Sequence, residues 1–243
     1  MPSQQLHGKV ALITGASGGI GSAIAVRLAK DGINLVLCGR SVKKLEKTRA
    51  LAEAEGVETL LHPCDVLDDG FAQSCITAAL ERFGRLDILI NSAGVALSRP
   101  LEETTMAEFD QIMATNVRAP YFLCQAALPA LRKSDYAMIL NIASVVAHKG
   151  YPLQSAYAAS KHALLGMSKS LANEVYEDDI RVHVISPGAV FTDMVRISRP
   201  DLTSEGMILA EDIAEAAAFF VEHRTNAVVD EIAVHRAGKA PFA

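Results

Sequence analysis

With 243 residues, 50% of them hydrophobic and 21% charged, the chain has the composition of a globular domain large enough to bury a core without disulfides or structural metals. Its 23 basic against 28 acidic residues, a net charge of -5 with no long run of one sign, argue against a nucleic-acid partner, because duplex binding needs a dense basic face. No stretch approaches the ~18 uninterrupted apolar residues of a membrane span, and the opening MPSQQLHGKVALITG has no basic start leading into a long apolar run, so no membrane role and a cytoplasmic location are expected.

Short apolar runs alternate with helical spacing along the whole chain. Strands are expected at 10–14, 34–38, 59–62, 86–91, 138–143, 181–186 and 232–234. Most are apolar on both faces, the mark of a strand covered by helices above and below. Between them lie stretches with helical spacing, such as Ile20, Ile24 and Leu28 on one stripe. Strand and helix repeated in this way give one α/β domain over residues 1–243, a doubly wound parallel sheet of seven strands with helices on both faces. The segment around 192–208 breaks both periodicities after a strand and reads as a substrate lid.

The first strand runs into Thr14-Gly15-Ala16-Ser17-Gly18-Gly19-Ile20-Gly21 and then a helix. A helix N-terminus offers unpaired N–H groups and a positive dipole end, and glycines let a diphosphate reach the backbone where a Cβ would block it. Where the second strand ends, the residue that meets an adenosine ribose is Gly39, followed by Arg40, with no carboxylate. An acid there would repel a 2′-phosphate, whereas an arginine pairs with it, so NADP is expected over NAD.

The four cysteines, Cys38, Cys64, Cys75 and Cys124, form no CxxC pair and read as reduced thiols, with Cys38 and Cys64 packed as small hydrophobes in apolar runs. The seven histidines show no HExxH and no His/Cys cluster, so no metal is expected.

Further along come Ser144 and then Tyr157-Ala158-Ala159-Ser160-Lys161. A spacing of four puts Tyr157 and Lys161 on one helix face. A phenol titrates near 10, roughly 3 to 4 kcal/mol too high for ready exchange at neutral pH. One ammonium about 5 Å away, at an effective dielectric near 20, contributes around 3 kcal/mol to the phenolate. Lys161 is therefore expected to be able to tune Tyr157 by itself.

With the glycine turn, this set resembles the short-chain dehydrogenase/reductase family. The matching residues are Thr14, Gly15, Gly19 and Gly21; Asn91-Ser92-Ala93-Gly94; Asn116; Ser144; and Tyr157 with Lys161, in the family's order from about Lys9 to Val234. The resemblance implies a Rossmann fold and a catalytic set of Asn116, Ser144, Tyr157 and Lys161. Tyr157 would be the acid in carbonyl reduction and the base in alcohol oxidation, Ser144 a donor to the substrate oxygen, Lys161 a ligand of the nicotinamide ribose, and Asn116 the holder of a relay water. The cofactor would be contacted by Gly15, Ser17, Gly19, Ile20, Gly21, Arg40, Asp65, Val66, Asn91, Ala93, Gly94, Tyr157, Lys161, Pro187, Gly188, Val190 and Thr192.

Structural roles stay open for three of these: Asn91 as a tie between strands, Asp65 as a helix cap and Thr192 as a loop cap. The walls near Ser144 and Tyr157 would include Ala93, Val95, Val145, Val146, His148, Tyr151, Met194 and Met207, which suits an uncharged or amphipathic ketone or secondary alcohol. A 3-oxoacyl group on acyl carrier protein is the alternative, although Val234-His235-Arg236-Ala237-Gly238 departs from the Asn-Gly-Gly segment common in such reductases. A dinucleotide-binding regulator without turnover is the reading from another class. The family also implies a homotetramer or dimer built on the helices that carry Asn116 and Tyr157.

Overall fold

A computed structural model describes residues 6–193, 195 and 203–238. Seven strands, β1 (Val10–Thr14), β2 (Asn34–Gly39), β3 (Thr59–Pro63), β4 (Ile88–Asn91), β5 (Met138–Ile142), β6 (Arg181–Pro187) and β7 (Glu231–Val234), form one sheet in the order β3-β2-β1-β4-β5-β6-β7. Every pairing is parallel, with Leu12 beside Val36 and Leu89, and Thr14 beside Cys38 and Asn91. The strands lie where the apolar runs place them, shifted by one or two residues. The fourth begins at Ile88 because the residue before it, Asp87, is turned to capping: its carboxylate accepts from the Val10 amide at 2.8 Å.

The helices between the strands are α1 (Gly19–Ala29), α2 (Val42–Glu53), α3 (Phe71–Phe83), α4 (Met106–Met113), α5 (Ala119–Leu131), α6 (Ser155–Glu174) and α7 (Ala210–Glu222). Local chemistry sets several of their ends. Ser41 accepts from the Lys44 amide to start α2, Thr105 and Glu108 form a reciprocal capping box at α4, and Gly84, at φ 71°, ends α3 in the left-handed conformation that favours glycine.

Alternate residues of each strand feed opposite layers. Ala11, Ile13, Leu35, Leu37, Ile88 and Ile90 pack with Ile24 and Leu28 of α1 and Ile213 and Phe220 of α7. Val10, Leu12, Val36, Leu89 and Ile139 pack with Ile76 and Ala79 of α3, Leu123 and Ala127 of α5, and Leu171 of α6. A strand buried on both sides has to be apolar throughout, which is why the runs are continuous and not alternating. No helix of the described residues is long and apolar enough to cross a membrane.

The chain leaves β1 toward β2 on one side and later returns to place β4 on the other. The carboxyl ends of β1 and β4 therefore border the crevice where ligands of open parallel sheets bind. Of the expected lid, residues 194 and 196–202 lie outside the described residues. Its two ends are joined: Val190 bridges Ile208, and the Phe191 amide donates to the Ile208 carbonyl at 2.7 Å.

Candidate active site

The glycine turn is shaped by close approach. A Cβ on Gly15, which sits at φ 71°, would come within 2.9 Å of the Ala93 backbone nitrogen, and one on Gly21 within 2.5 Å of the Gly15 carbonyl oxygen. Gly19 adopts φ 54° beside the Thr192 methyl group. The turn is tied from both sides, with the Ala16 amide donating to the Cys38 carbonyl at 3.0 Å and the Thr48 hydroxyl to the Ala16 carbonyl at 2.8 Å. Thr14 Oγ1 accepts from the amides of Ser92 and Ala93, both at 3.2 Å, and so brings the end of β4 onto the turn. Helix α1 starts there with no acidic residue in its first turn, leaving its N-terminal amides and dipole open to an anion. A backbone cradle that side chains would fill, with this polarity, fits a dinucleotide diphosphate.

The adenosine end is formed by the ends of β2 and β3. Ser17 stands against Gly39, where a Cβ would lie 3.0 Å from the serine hydroxyl. Arg40 is 74% exposed in its side chain and lies 3.8 Å from Asp65. Asp65 also accepts from the Leu67 amide at 3.0 Å, a turn contact; the helix cap left open for it is not made, because α3 begins after Gly70. Val66 shares a small cleft with Thr14, Phe71, Asn91 and Ala93.

Asn91 likewise turns its side chain to structure, donating to Asn141 Oδ1 at 2.8 Å. Asn141 continues to Ser168 Oγ at 2.8 Å, tying β4, β5 and α6 together. Neither Asn141 nor Ser168 was read from the sequence as a site residue, although a lone asparagine inside the apolar run of β5 is the signal that marks such a tie.

The chemical end gathers the four expected residues. Asn116 sits in a five-residue π-turn (Ala114–Arg118) between α4 and α5. Its side chain is fully engaged, accepting from the Val95 amide at 2.9 Å and donating to the Val95 carbonyl at 2.9 Å and to Ser160 Oγ at 3.0 Å. Ser160 is thus the anchor for Asn116. Gly94 lies against both Asn116 and Lys161.

Ser144 follows β5 and donates to the Pro187 carbonyl at 3.3 Å, which fixes it to the end of β6. Gly188 is held by its amide to the Val234 carbonyl at 2.8 Å. Lys161 is buried, its Nζ 2.8 Å from the Ile142 carbonyl and 5.8 Å from the Tyr157 ring centre. Burial holds its ammonium down at about 8. Tyr157 is pushed above the usual phenol range by burial, with a hydrogen bond from Ser144 pulling the other way. Against the expectation that Lys161 draws the phenol down, burial is the largest influence on it and acts upward.

His148, which has no partner nearby in sequence, is joined by Nε2 to Glu231 at 2.6 Å, and Glu231 also accepts from Ser186 at 2.5 Å. Met194, expected in the substrate wall, lies outside the described residues, whereas Met207 is buried and its sulfur accepts from Arg236 at 3.4 Å.

Residues 9–203 match the family model for short chain dehydrogenases. The chain belongs to that family. This short chain dehydrogenase is 38% identical over 207 residues to levodione reductase of Leifsonia aquatica, an alignment that covers 84% of this chain and 78% of that one. Among solved structures it resembles the alcohol dehydrogenase of the archaeon Thermococcus sibiricus complexed with 5-hydroxy-NADP, at TM-score 0.89 and 31% identity over 97% of this chain and 99% of that one. It also resembles a short chain dehydrogenase of Mycobacterium paratuberculosis bound to NAD, at TM-score 0.85 and 27% identity over 94% of this chain and 97% of that one. The family places this chain among the oxidoreductases that interconvert alcohols and ketones.

Proposed function

We propose that the chain transfers a hydride between NADP(H) and an uncharged or amphipathic ketone or secondary alcohol, with Tyr157 delivering or removing the proton. The observation that carries this reading is the meeting of Tyr157, Ser144 and Lys161 at the carboxyl ends of β5 and β6, next to the glycine cradle at the ends of β1 and β4. A nicotinamide dinucleotide bound in that cradle supplies or accepts the hydride.

This chain's residues then divide the remaining work. The amides of the Gly15–Gly21 turn hold the diphosphate, Ser17 and Arg40 the adenosine ribose and its phosphate, and Asp65 and Val66 the adenine. Asn91, Ala93 and Gly94 border the middle of the dinucleotide, and Pro187, Gly188, Val190 and Thr192 the carboxamide. Ser144 donates to the substrate oxygen and stabilises charge there as the hydride arrives or leaves. Tyr157 gives its proton to that oxygen in reduction and takes it back in oxidation. Lys161 binds the nicotinamide ribose. A relay water beside Asn116 would be held by the backbone of the π-turn, since the asparagine amide is already engaged.

Replacing Tyr157 by Phe removes one oxygen and keeps the ring. Turnover is expected to fall by about 10² to 10⁴, the range of a lost general acid, while dinucleotide affinity is retained. Full-speed turnover in Tyr157→Phe, followed by absorbance of the reduced cofactor, would place the chemistry elsewhere. The outcome that favours a non-catalytic regulator is tight dinucleotide binding without reduction of any thioester, diketone, sugar or hydroxy acid tried.

The preference for NADP rests on Gly39 standing where a carboxylate would select NAD, with Arg40 directly after it. A 2′-phosphate competes with Asp65 for the exposed guanidinium, and the phosphate is the stronger partner because it carries the higher negative charge while offering the same two-bond fork. Arg40→Ala is expected to lower the ratio of kcat/KM for NADPH over NADH by roughly tenfold or more, one charge-assisted contact. An unchanged ratio removes Arg40 from the selection.

A further inference from the structure

Three cysteines far apart in sequence meet at one point. Cys38 is near the end of β2, Cys64 directly follows β3, and Cys75 lies in the second turn of α3. Their sulfurs are mutually within 4.8 Å, with Cys38 to Cys75 at 3.6 Å and Cys64 to Cys75 at 3.8 Å. Cys38 and Cys75 are buried and Cys64 is half-buried. Cys124, the fourth, stands apart, accepting from Asn91 at 3.4 Å. From the sequence all four are expected to be reduced thiols, with Cys38 and Cys64 packed as small hydrophobes and no metal bound.

Tetrahedral coordination fixes how far apart sulfurs on one metal ion can be. With zinc–sulfur bonds of about 2.3 Å, two ligating sulfurs lie about 3.8 Å apart. The two shorter separations match that edge already, and the third is within reach of a rotamer adjustment. Apolar packing alone does not call for three sulfurs to converge, since Phe71, Val36 and Ile76 fill the same layer around them. The backbone under the cluster is fixed by the sheet: the Cys64 amide donates to the Gly39 carbonyl at 3.1 Å, so the ends of β2 and β3 hold two of the ligands at a set spacing. Cys64 supplies the opening through which an ion enters and protons leave.

We propose that Cys38, Cys64 and Cys75 form a site for a thiophilic closed-shell cation of the zinc type, with water in the fourth position. Three S–H groups lose their protons to solvent as three metal–sulfur bonds form, and no oxidation state changes. The ion would cross-link the ends of β2 and β3 to α3, directly behind Arg40 and Asp65. The site is independent of the hydride chemistry, and its test needs neither cofactor nor substrate.

The experiment titrates fully reduced, metal-free protein with Zn²⁺ against a chromophoric chelator, and with Cd²⁺ while following the ultraviolet thiolate-to-cadmium band. One tight equivalent per chain is expected, with the cadmium band present and with half-buried Cys64 protected from alkylation when Zn²⁺ is bound. Loss of an outer-shell partner alone weakens a metal site 10- to 100-fold, so removing a ligand in Cys64→Ser or Cys75→Ala is expected to weaken binding by about 100-fold or more. Cys124→Ser should bind like the parent. Circular dichroism checks that Cys75→Ala folds, and the half-buried position of Cys64→Ser gives the same reading should it not. Saturating Zn²⁺ should also raise the unfolding temperature of the parent and not of Cys64→Ser. The proposal is overturned if affinity is the same in the parent and these two variants, if the cadmium band is missing, or if Cys64 alkylates equally fast with and without Zn²⁺.

Discussion

Lys161 carries a charge in a place that disfavours one. It is 4% exposed, its ammonium meets only a carbonyl oxygen and a ring face among the contacts described, and burial lowers it to about 8 from an ordinary 10.5. Between those two values the unfolded chain binds more protons than the folded one, so stability rises with pH through that window. At 1.36 kcal/mol per unit the full difference is about 3 kcal/mol. Tyr157 acts above it with the opposite sign: a phenol raised by burial stays protonated in the folded state, and stability falls as pH climbs past its unfolded value of 10. Urea unfolding at pH 8 and at pH 10 should therefore show the parent gaining stability relative to Lys161→Met over that interval. Parallel behaviour of the two proteins would mean that the ammonium is better solvated than its surroundings indicate. The pair was legible from its spacing of four; the sign of the phenol shift was not, because desolvation depends on what covers the hydroxyl.

At the scale of elements, the site is held by polar ties hidden in apolar strands. The chain from Asn91 to Asn141 to Ser168 and on to the Leu164 carbonyl at 2.7 Å crosses β4 and β5, which lead into Gly94 and Ser144, and α6, which carries Tyr157 and Lys161. Asn141 is completely buried. Asn141→Ala would leave the Asn91 amide with only the weak Cys124 sulfur as acceptor, take one partner from the Ser168 hydroxyl and leave a void, for a cost of about 2 to 4 kcal/mol. A denaturant midpoint within experimental error of the parent would show that these groups find other partners. Strand positions were readable because burial on two faces writes itself as continuous Val, Ile and Leu. The π-turn that seats Asn116 left no comparable trace in Ala114 to Arg118, since one extra residue in a helical turn changes hydrogen-bond registry and not composition.

For the whole molecule, exposed apolar groups gather on α4 and α5 and the turn before them. Leu101 is 75% exposed, Met106 84%, Tyr121 51% and Phe122 47%, and the last two rings meet edge to face. An apolar surface of this kind is what chain association would cover, as the dimer or tetramer expected from the family resemblance requires. Phe122→Glu changes a side chain that faces solvent in the monomer, so it should lower the mass seen by light scattering without lowering helix content; a parent that is already monomeric would remove the assembly. Fold and chemical motifs were legible because each is written within a few neighbouring residues. The meeting of residues 38, 64 and 75, or of His148 with Glu231, is decided by strand order, and no spacing in the chain encodes it.

The pairing of Val190 with Ile208 closes a neck at the foot of residues 192–207. Closure entropy grows only slowly with the length of a tethered segment. Changes of length between those two anchors are therefore expected to cost strand registry little, since the bridge itself holds the ends together.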